Sequence, residues 1–205
     1  VEQVRRTLGP HDGRTETAVQ VLESEPDRLE RLANEFSEFG RLPEGPQSEV
    51  DIVELLEELG RTGVPEGVRV MVTANGGGGG GPRSVLGHYA PLRRAFSNIY
   101  RNASEAMKGR GTIDVTVTRG AAELSITIAD HGPGIPAEYR QRVFEPYFTT
   151  KDDGTGLGLA LVRVTLEAHR GSISVGETPG GGATFSIVLP SSPLSGTERA
   201  GGEAG

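Results

Sequence analysis

Cysteine and tryptophan are absent from this chain, methionine occurs twice, and aromatic residues make up only 5% of it. The lack of cysteine excludes disulfides, thiolate metal sites and cysteine nucleophiles. The shortage of large rings means that any core has to be built mainly from Val, Ile and Leu. Long apolar runs are missing too. None approaches the ~18 residues that a membrane-spanning helix needs, and no signal-peptide pattern is seen at the start. The expectation is a cytoplasmic segment, compatible with a parent protein that is membrane-anchored through spans upstream. Positive charge is also scarce. Lys and Arg number 21 against 28 Asp and Glu, for a net charge of −7. Nonspecific nucleic-acid binding is driven by clustered cations, so no nucleic-acid partner is expected. An anionic ligand would have to be held by local features, not by the global field.

What is present is globular in character, with 35% hydrophobic and 24% charged residues. At ~100–200 residues per domain, 205 residues imply one full domain and a smaller piece. Glycine is abundant, at 31 residues, partly in the run from Gly76 to Gly81 and partly near the end of the chain. Neither stretch has the apolar content to form a core.

The first eight residues place Val1, Val4 and Leu8 on one helical face, and Gly9-Pro10 stops that helix. A second helical pattern runs from Thr15 to Arg41. Leu22, Leu29 and Phe36 recur every seven residues, with Leu32 and Phe39 between them, and Pro26 kinks or restarts the helix. Residues 1–46 therefore read as part of a helical hairpin whose first helix is incomplete, although an ordinary surface helix has the same pattern. Leu42 to Ser48 is expected to be a linker.

A short helix is expected over Asp51–Leu59 and a strand through Val68, Val70 and Val72. Asn75 to Pro82 reads as a loop, and Tyr89 to Met107 as a long helix. Ile113, Val115 and Val117 alternate, as do Leu124, Ile126 and Ile128, and the short polar join between them predicts a hairpin. Gly156 to His169 reads as helix, and Ile173–Val175 and Ala183–Leu189 as a second strand pair. Residues 191–205 read as a disordered tail. Strands and helices do not alternate strictly, which excludes a doubly wound Rossmann sheet. The expected fold is an α/β (α+β) two-layer sandwich over residues 47–190, a mixed sheet covered on one face by helices.

Four segments carry chemistry. Asn98, Asn102 and Glu105 fall on one face of the long helix. Amide oxygens suit a hydrated Mg²⁺ beside phosphates because they add no charge repulsion, yet alone this is an ordinary solvated face. Asp130-His131-Gly132-Pro133-Gly134-Ile135 follows an apolar strand. A carboxylate there can accept from an exocyclic amine, and the glycines let backbone approach a flat ring; the same letters also write a tight turn. Phe144 to Lys151 gathers three aromatics ahead of a lysine, which suits either a loop anchor or the hinge of a mobile lid. Gly154-Thr155-Gly156-Leu157-Gly158-Leu159 opens a helix whose free N–H groups can bind phosphate. It is neither a P-loop nor a Rossmann fingerprint.

In this order and spacing the four segments resemble the N box, first glycine box, F box and second glycine box of the ATP-binding domain of sensor histidine kinases, in the superfamily that includes DNA gyrase, Hsp90 and MutL. The resemblance covers roughly residues 50–190, and Gly180 to Phe185 is similar to the family's closing strand. Leu32 to Pro43 resembles the second dimerisation helix of nitrogen-regulation-type sensor kinases. The resemblance implies ATP and Mg²⁺ as ligands. It implies Asn98 and Asn102 as the catalytic pair, with Asn102 on Mg²⁺. It implies Arg101, Glu105, Asp130, Gly132, Gly134, Ile135, Lys151, Gly154, Thr155, Gly156, Leu157, Gly158, Leu159 and Thr184 around the nucleotide. Asp130 would take the adenine amine, Lys151 and the glycine loop would close over the phosphates, and Leu157 would tuck beneath the lid. A cognate response regulator and a homodimer of the full-length protein follow as partners.

In the superfamily's ATPases a glutamate stands where Asn98 is here, and an amide is no base at neutral pH. Slow hydrolysis and transfer to a protein acceptor are expected. None of His11, His88, His131 and His169 has the sequence context of the phosphorylated histidine. The expectation is a fragment, its acceptor upstream of Val1, that binds ATP without phosphorylating itself. Alternatives are a nucleotide-binding regulatory module without turnover, a gyrase/Hsp90-type ATPase, and a serine kinase of the anti-sigma type.

Overall fold

A strand at Ser48–Asp51 (β1) runs directly into a helix at Ile52–Thr62 (α1) in the computed structural model, which describes residues 46–76, 83–151 and 154–192. Residues 1–45 of the expected helical hairpin (1–46), all but the first residue of the Gly76–Gly81 run, and the chain after residue 192 lie outside the described residues. The order continues with β2 (Val68–Gly76), β3 (Ser84–Gly87), α2 (Tyr89–Ala106), β4 (Gly111–Arg119) and β5 (Glu123–Ala129). Two short 3-10 turns follow at Ala137–Tyr139 and Arg142–Phe144, then α3 (Gly158–Ala168), β6 (Ser172–Glu177) and β7 (Ala183–Pro190).

Local chemistry sets the helices. Asp51 caps α1, its carboxylate accepting from the N–H groups of Val53 at 2.9 Å and Glu54 at 3.0 Å. Ile52, Leu55, Leu56 and Leu59 then form one buried stripe. Gly63 closes the helix, its N–H donating to the Leu59 carbonyl at 2.8 Å. In α2, Pro91 sits in the first turn, where no intrahelical donor is lost. Its buried face carries Leu92, Ala95, Phe96, Ile99, Tyr100 and Ala103. Tyr100 donates its hydroxyl to the Leu56 carbonyl at 3.2 Å, tying α2 to α1, and burial pushes its pKa well above the usual tyrosine range.

Five strands form one sheet in the order β2-β4-β5-β7-β6. β2 runs parallel to β4 and the other pairs are antiparallel, so the sheet is mixed as expected. Ile113, Val115 and Val117 of β4, Leu124, Ile126 and Ile128 of β5, and Phe185, Ile187 and Leu189 of β7 point into the core. The helices cover this face and leave the other to Thr, Ser and charged residues. The two-residue alternation thus selects one face for α1, α2 and α3 to bury.

The sequence reading needs correcting at short elements. Ser48 belongs to β1, not to a linker, and β1 pairs antiparallel with β3 from Ser48 opposite Gly87 to Asp51 opposite Ser84. Asn75 and Gly76 continue β2 instead of opening the loop. Gly156 and Leu157 precede α3, because Gly156 has a φ of +69° that a right-handed helix cannot contain. Ser191 and Ser192 are hydrogen-bonded to the fold, their N–H groups donating to the carbonyls of Ala122 in the turn between β4 and β5 at 3.0 Å and of Ser84 in β3 at 2.8 Å.

Candidate functional site

Asp130 stands directly after β5 and is only 3% exposed. A buried carboxylate has to be hydrogen-bonded, and here Oδ1 accepts from the N–H of Gly132 at 2.9 Å and of Ala183 at 3.2 Å. The Asp130 N–H donates to the Ala183 carbonyl at 2.9 Å. The residue is thus fixed to the start of β7 by backbone and side chain together. Oδ2 has no hydrogen-bond partner among the described residues, so it is the oxygen left for a ligand.

The glycines around it are set by close approach. A Cβ on Gly182 would stand 1.9 Å from the Asp130 carbonyl oxygen, and one on Gly134 would stand 2.8 Å from the Gly182 carbonyl oxygen. Both have positive φ, +116° and +77°. The loops before β7 and after β5 therefore interlock through backbone. Thr184, opposite Ala129 in the ladder, shares a 2.9 Å hydroxyl hydrogen bond with Thr178. Ile135 is partly buried and packs on the core.

Facing this corner, α2 presents its polar residues. Asn98 is 7% exposed and donates its side-chain amide to the Gly158 carbonyl at 3.3 Å. Asn102 lies one turn on, and its Oδ1 accepts from the Lys151 ammonium at 3.0 Å. Lys151 also pairs with the Glu105 carboxylate, and Arg101 lies 4.0 Å from Glu105 across one helical turn. The expected face of Asn98, Asn102 and Glu105 is thus brought against α3 and Lys151.

The aromatic segment divides by function. Phe144 is buried with its ring edge toward Phe185, at 6.4 Å between centroids. Phe148 packs on Tyr139 at 5.5 Å and lies 4.6 Å beneath the Arg142 guanidinium. Tyr147 is 65% exposed, and its N–H donates to the Gly156 carbonyl at 3.0 Å. A Cβ at Gly156 would come within 2.4 Å of the Tyr147 carbonyl carbon. Tyr147 and Gly156 therefore fasten the two ends of the loop that carries Thr149, Lys151, Gly154 and Thr155.

Leu157 is buried ahead of α3 and sits at its N-cap position, where its side chain makes no capping hydrogen bond. The first N–H groups of the 11-residue α3 thus have no side-chain acceptor at the cap. Gly158 and Leu159 form that first turn and are half-buried. The arrangement offers a buried acceptor at one end, helix-terminal donors at the other, and an amide oxygen between them that already takes a cation as neighbour. This donor set suits a nucleotide with its divalent cation. An open groove between the end of α1 and α2, lined by Thr62, Val64, Arg101 and Glu105, contains neither Asp130 nor the loop.

Sequence reasoning missed three contributors. Ala183 holds Asp130 through backbone hydrogen bonds and Gly182 packs against its backbone, neither leaving a chemical signature beyond the run of glycines. Asp114 holds His131 at 2.7 Å across the mouth of the loop. Its signal was only an acidic residue on the solvent side of β4.

A family model described as histidine kinase-, DNA gyrase B-, and HSP90-like ATPase matches residues 87–193. The chain belongs to this family. Several relatives carry the name of a sensor or signal-transduction histidine kinase. Sensor histidine kinase ZraS of Klebsiella oxytoca is 34% identical over 188 residues, an alignment covering 88% of this chain and 39% of that protein. Nitrogen regulation protein NtrY of Azorhizobium caulinodans is 32% identical over 209 residues, covering 92% of this chain and 26% of that protein. The chain thus spans two fifths or less of the length of these relatives. A solved structure, that of a mycobacterial sensor histidine kinase MprB, is 29% identical with a TM-score of 0.61 and covers 72% of this chain and 99% of that one. Among the described residues no helix is long and apolar enough to cross a membrane.

Proposed function

We propose that this chain is the ATP-binding catalytic part of a two-component sensor histidine kinase of the nitrogen-regulation type. It transfers the γ-phosphoryl group of ATP to a histidine, for relay to an aspartate of a cognate response regulator. The observation that carries this reading over a gyrase- or Hsp90-type ATPase is Asn98. At the position where a water-activating base would stand, a buried amide is instead committed to the Gly158 carbonyl. An amide cannot take a proton from water, but it can hold the phosphate loop against α2.

The roles follow from the geometry. Asp130 Oδ2 accepts from the exocyclic amine of adenine while Gly132 and Gly134 give the ring room. The first N–H groups of α3 meet phosphate oxygens. Lys151 leaves Asn102 and Glu105 to neutralise the terminal phosphate. Asn102 would hold Mg²⁺ through its amide oxygen, and the ion would supply positive charge against the negative charge developing on the phosphates. In the transfer, the lone pair of an imidazole nitrogen attacks the γ-phosphorus, the bond to the bridging oxygen breaks, and ADP departs with its electron pair. What the protein contributes is mostly positioning.

The acceptor does not lie among the described histidines. His169 is buried, His131 pairs with Asp114, and His88 sits at the start of α2. The seven-residue apolar repeat of Leu22, Leu29 and Phe36 supports a dimerisation hairpin within residues 1–46, in a cytoplasmic homodimer compatible with a membrane-anchored parent.

Calorimetric titration with a nonhydrolysable ATP analogue and Mg²⁺ tests the site. The wild-type chain binds, Asp130→Asn binds at least tenfold more weakly, a loss of ~1.4 kcal/mol or more, and Asn102→Ala loses the dependence on Mg²⁺. No binding by wild type would sink the reading. With γ-labelled ATP, the 205-residue chain alone is expected to yield no stable phosphohistidine; its appearance would overturn the assignment of the acceptor.

A further inference from the structure

Buried polar atoms without a partner number only a few per hundred residues in folded proteins, and each has to be accounted for. Among the side chains described there are three: Arg83 Nε, Ser191 Oγ and Ser192 Oγ. All three lie in one corner, at the end of the sheet remote from Asp130. Ser192 is 3% exposed, its N–H donates to the Ser84 carbonyl at 2.8 Å, and its carbonyl accepts from Arg119 at 3.2 Å. Arg83 immediately precedes Ser84. Arg119, the last residue of β4, is itself only 7% exposed.

We propose that this corner is a binding site for a small oxyanion, separate from the nucleotide site. The chemistry selects the sign of the ligand. Arg83 and Arg119 are permanent cations that can only donate, and serine hydroxyls can turn to donate with them. The carbonyls that face the corner are already engaged, Ser192 by Arg119 and Ala74 by Arg83 at 3.5 Å. Arg83 forms no ion pair among the described residues and its buried Nε–H has no hydrogen-bond partner there, so its charge and that donor are both left for an anion. Glu49 lies on the exposed strand β1, its carboxylate 3.4 Å from the Ser84 hydroxyl. A cation would meet the Arg83 guanidinium, which has no ion pair among the described residues, and be repelled.

The two sites stand at opposite ends of β4. Asp114 pairs with Ala129 beside the nucleotide corner and Arg119 pairs with Leu124 at the other end. Five residues at ~3.3 Å each put them roughly 17 Å apart. An anion held here would join the start of β3, the end of β4 and the exit of the chain from β7.

The test is a titration of the ¹⁵N-labelled 205-residue chain with inorganic phosphate, following the Arg Nε–Hε signals. The Arg83 Nε–Hε signal and the Ser192 amide are expected to shift together and saturably in the wild type. Arg83→Gln and Ser192→Ala should each weaken the apparent affinity at least tenfold, and Arg69→Gln on the exposed face of β2 should leave it unchanged. If Arg83 Hε does not move, or if Arg69→Gln weakens binding as much as Arg83→Gln, the proposal fails. The wild-type signals decide the matter even if a variant does not fold. Shifts confined to the residues around Asn102 and α3 would mean that phosphate enters only the nucleotide site, and would also overturn it.

Discussion

Gly182 shows how little space the candidate site leaves for change. An alanine there would press its Cβ to 1.9 Å from the Asp130 carbonyl oxygen while holding φ at +116°. Overpacking of this kind costs about 1–3 kcal/mol, and the left-handed backbone adds roughly 1–2 kcal/mol for a residue with a Cβ. Gly182→Ala is therefore expected to lower the melting temperature by several degrees and to weaken nucleotide binding together, read by thermal melts and by calorimetry. A variant that melts like wild type and binds like it would show that the interlock is slack. At this scale the sequence was informative where a side chain does the work. Asp130, Asn98, Asn102 and Lys151 were visible as residue types at meaningful spacings. It was silent where backbone does the work, since an N–H from Ala183 looks like any other N–H. His131 was visible only as a turn residue, because its partner Asp114 is 17 positions away.

At the scale of elements, α2 is the spine. It packs Phe96 and Tyr100 into the core on one side and displays Asn98 and Asn102 to the site on the other. Phe96 is fully buried, so Phe96→Ala should destabilise the domain by about 3–5 kcal/mol. Chemical denaturation would measure this, with an unchanged slope if the native state stays compact. Long periodic elements such as α2, β4, β5 and β7 could be read from the sequence because their apolar spacing repeats often enough to be distinctive. β1 and β3 could not, being four residues each. They are held by pairing with each other rather than by a pattern of their own. The start of α3 was placed two residues early because Gly156 carries the polarity of a helix opening but not its backbone angles.

Over the whole molecule, the far ends of α2 and α3 are joined by two histidines. His169, buried at the end of α3, accepts from the His88 N–H through Nε2 at 2.9 Å, and its Nδ1 lies 2.7 Å from the Thr165 carbonyl. Nδ1 therefore carries the proton and the ring is neutral. Burial pushes the His169 pKa below its ordinary value of 6.5. The stability linked to this group is fully present above pH ~6.5 and is lost as pH falls from there through the lower, folded-state value. Melting temperatures measured between pH 8 and pH 5 should fall on the acid side. His169→Gln, which keeps an acceptor without the titration, should flatten the acid limb. An equal fall in that variant would assign the effect to other groups.

The hydrogen bond between Asp130 and Ala183 spans 53 positions of the chain and belongs to the last of the described strands. Loops of that length close late, because their entropy is lost before the contact repays it. A nascent chain still lacking β7 would carry every box of the nucleotide site and yet have no oriented carboxylate to offer. Nucleotide capture is thus a report that β7 has emerged and docked, and a ribosome-stalled chain ending before residue 183 should be blind to ATP.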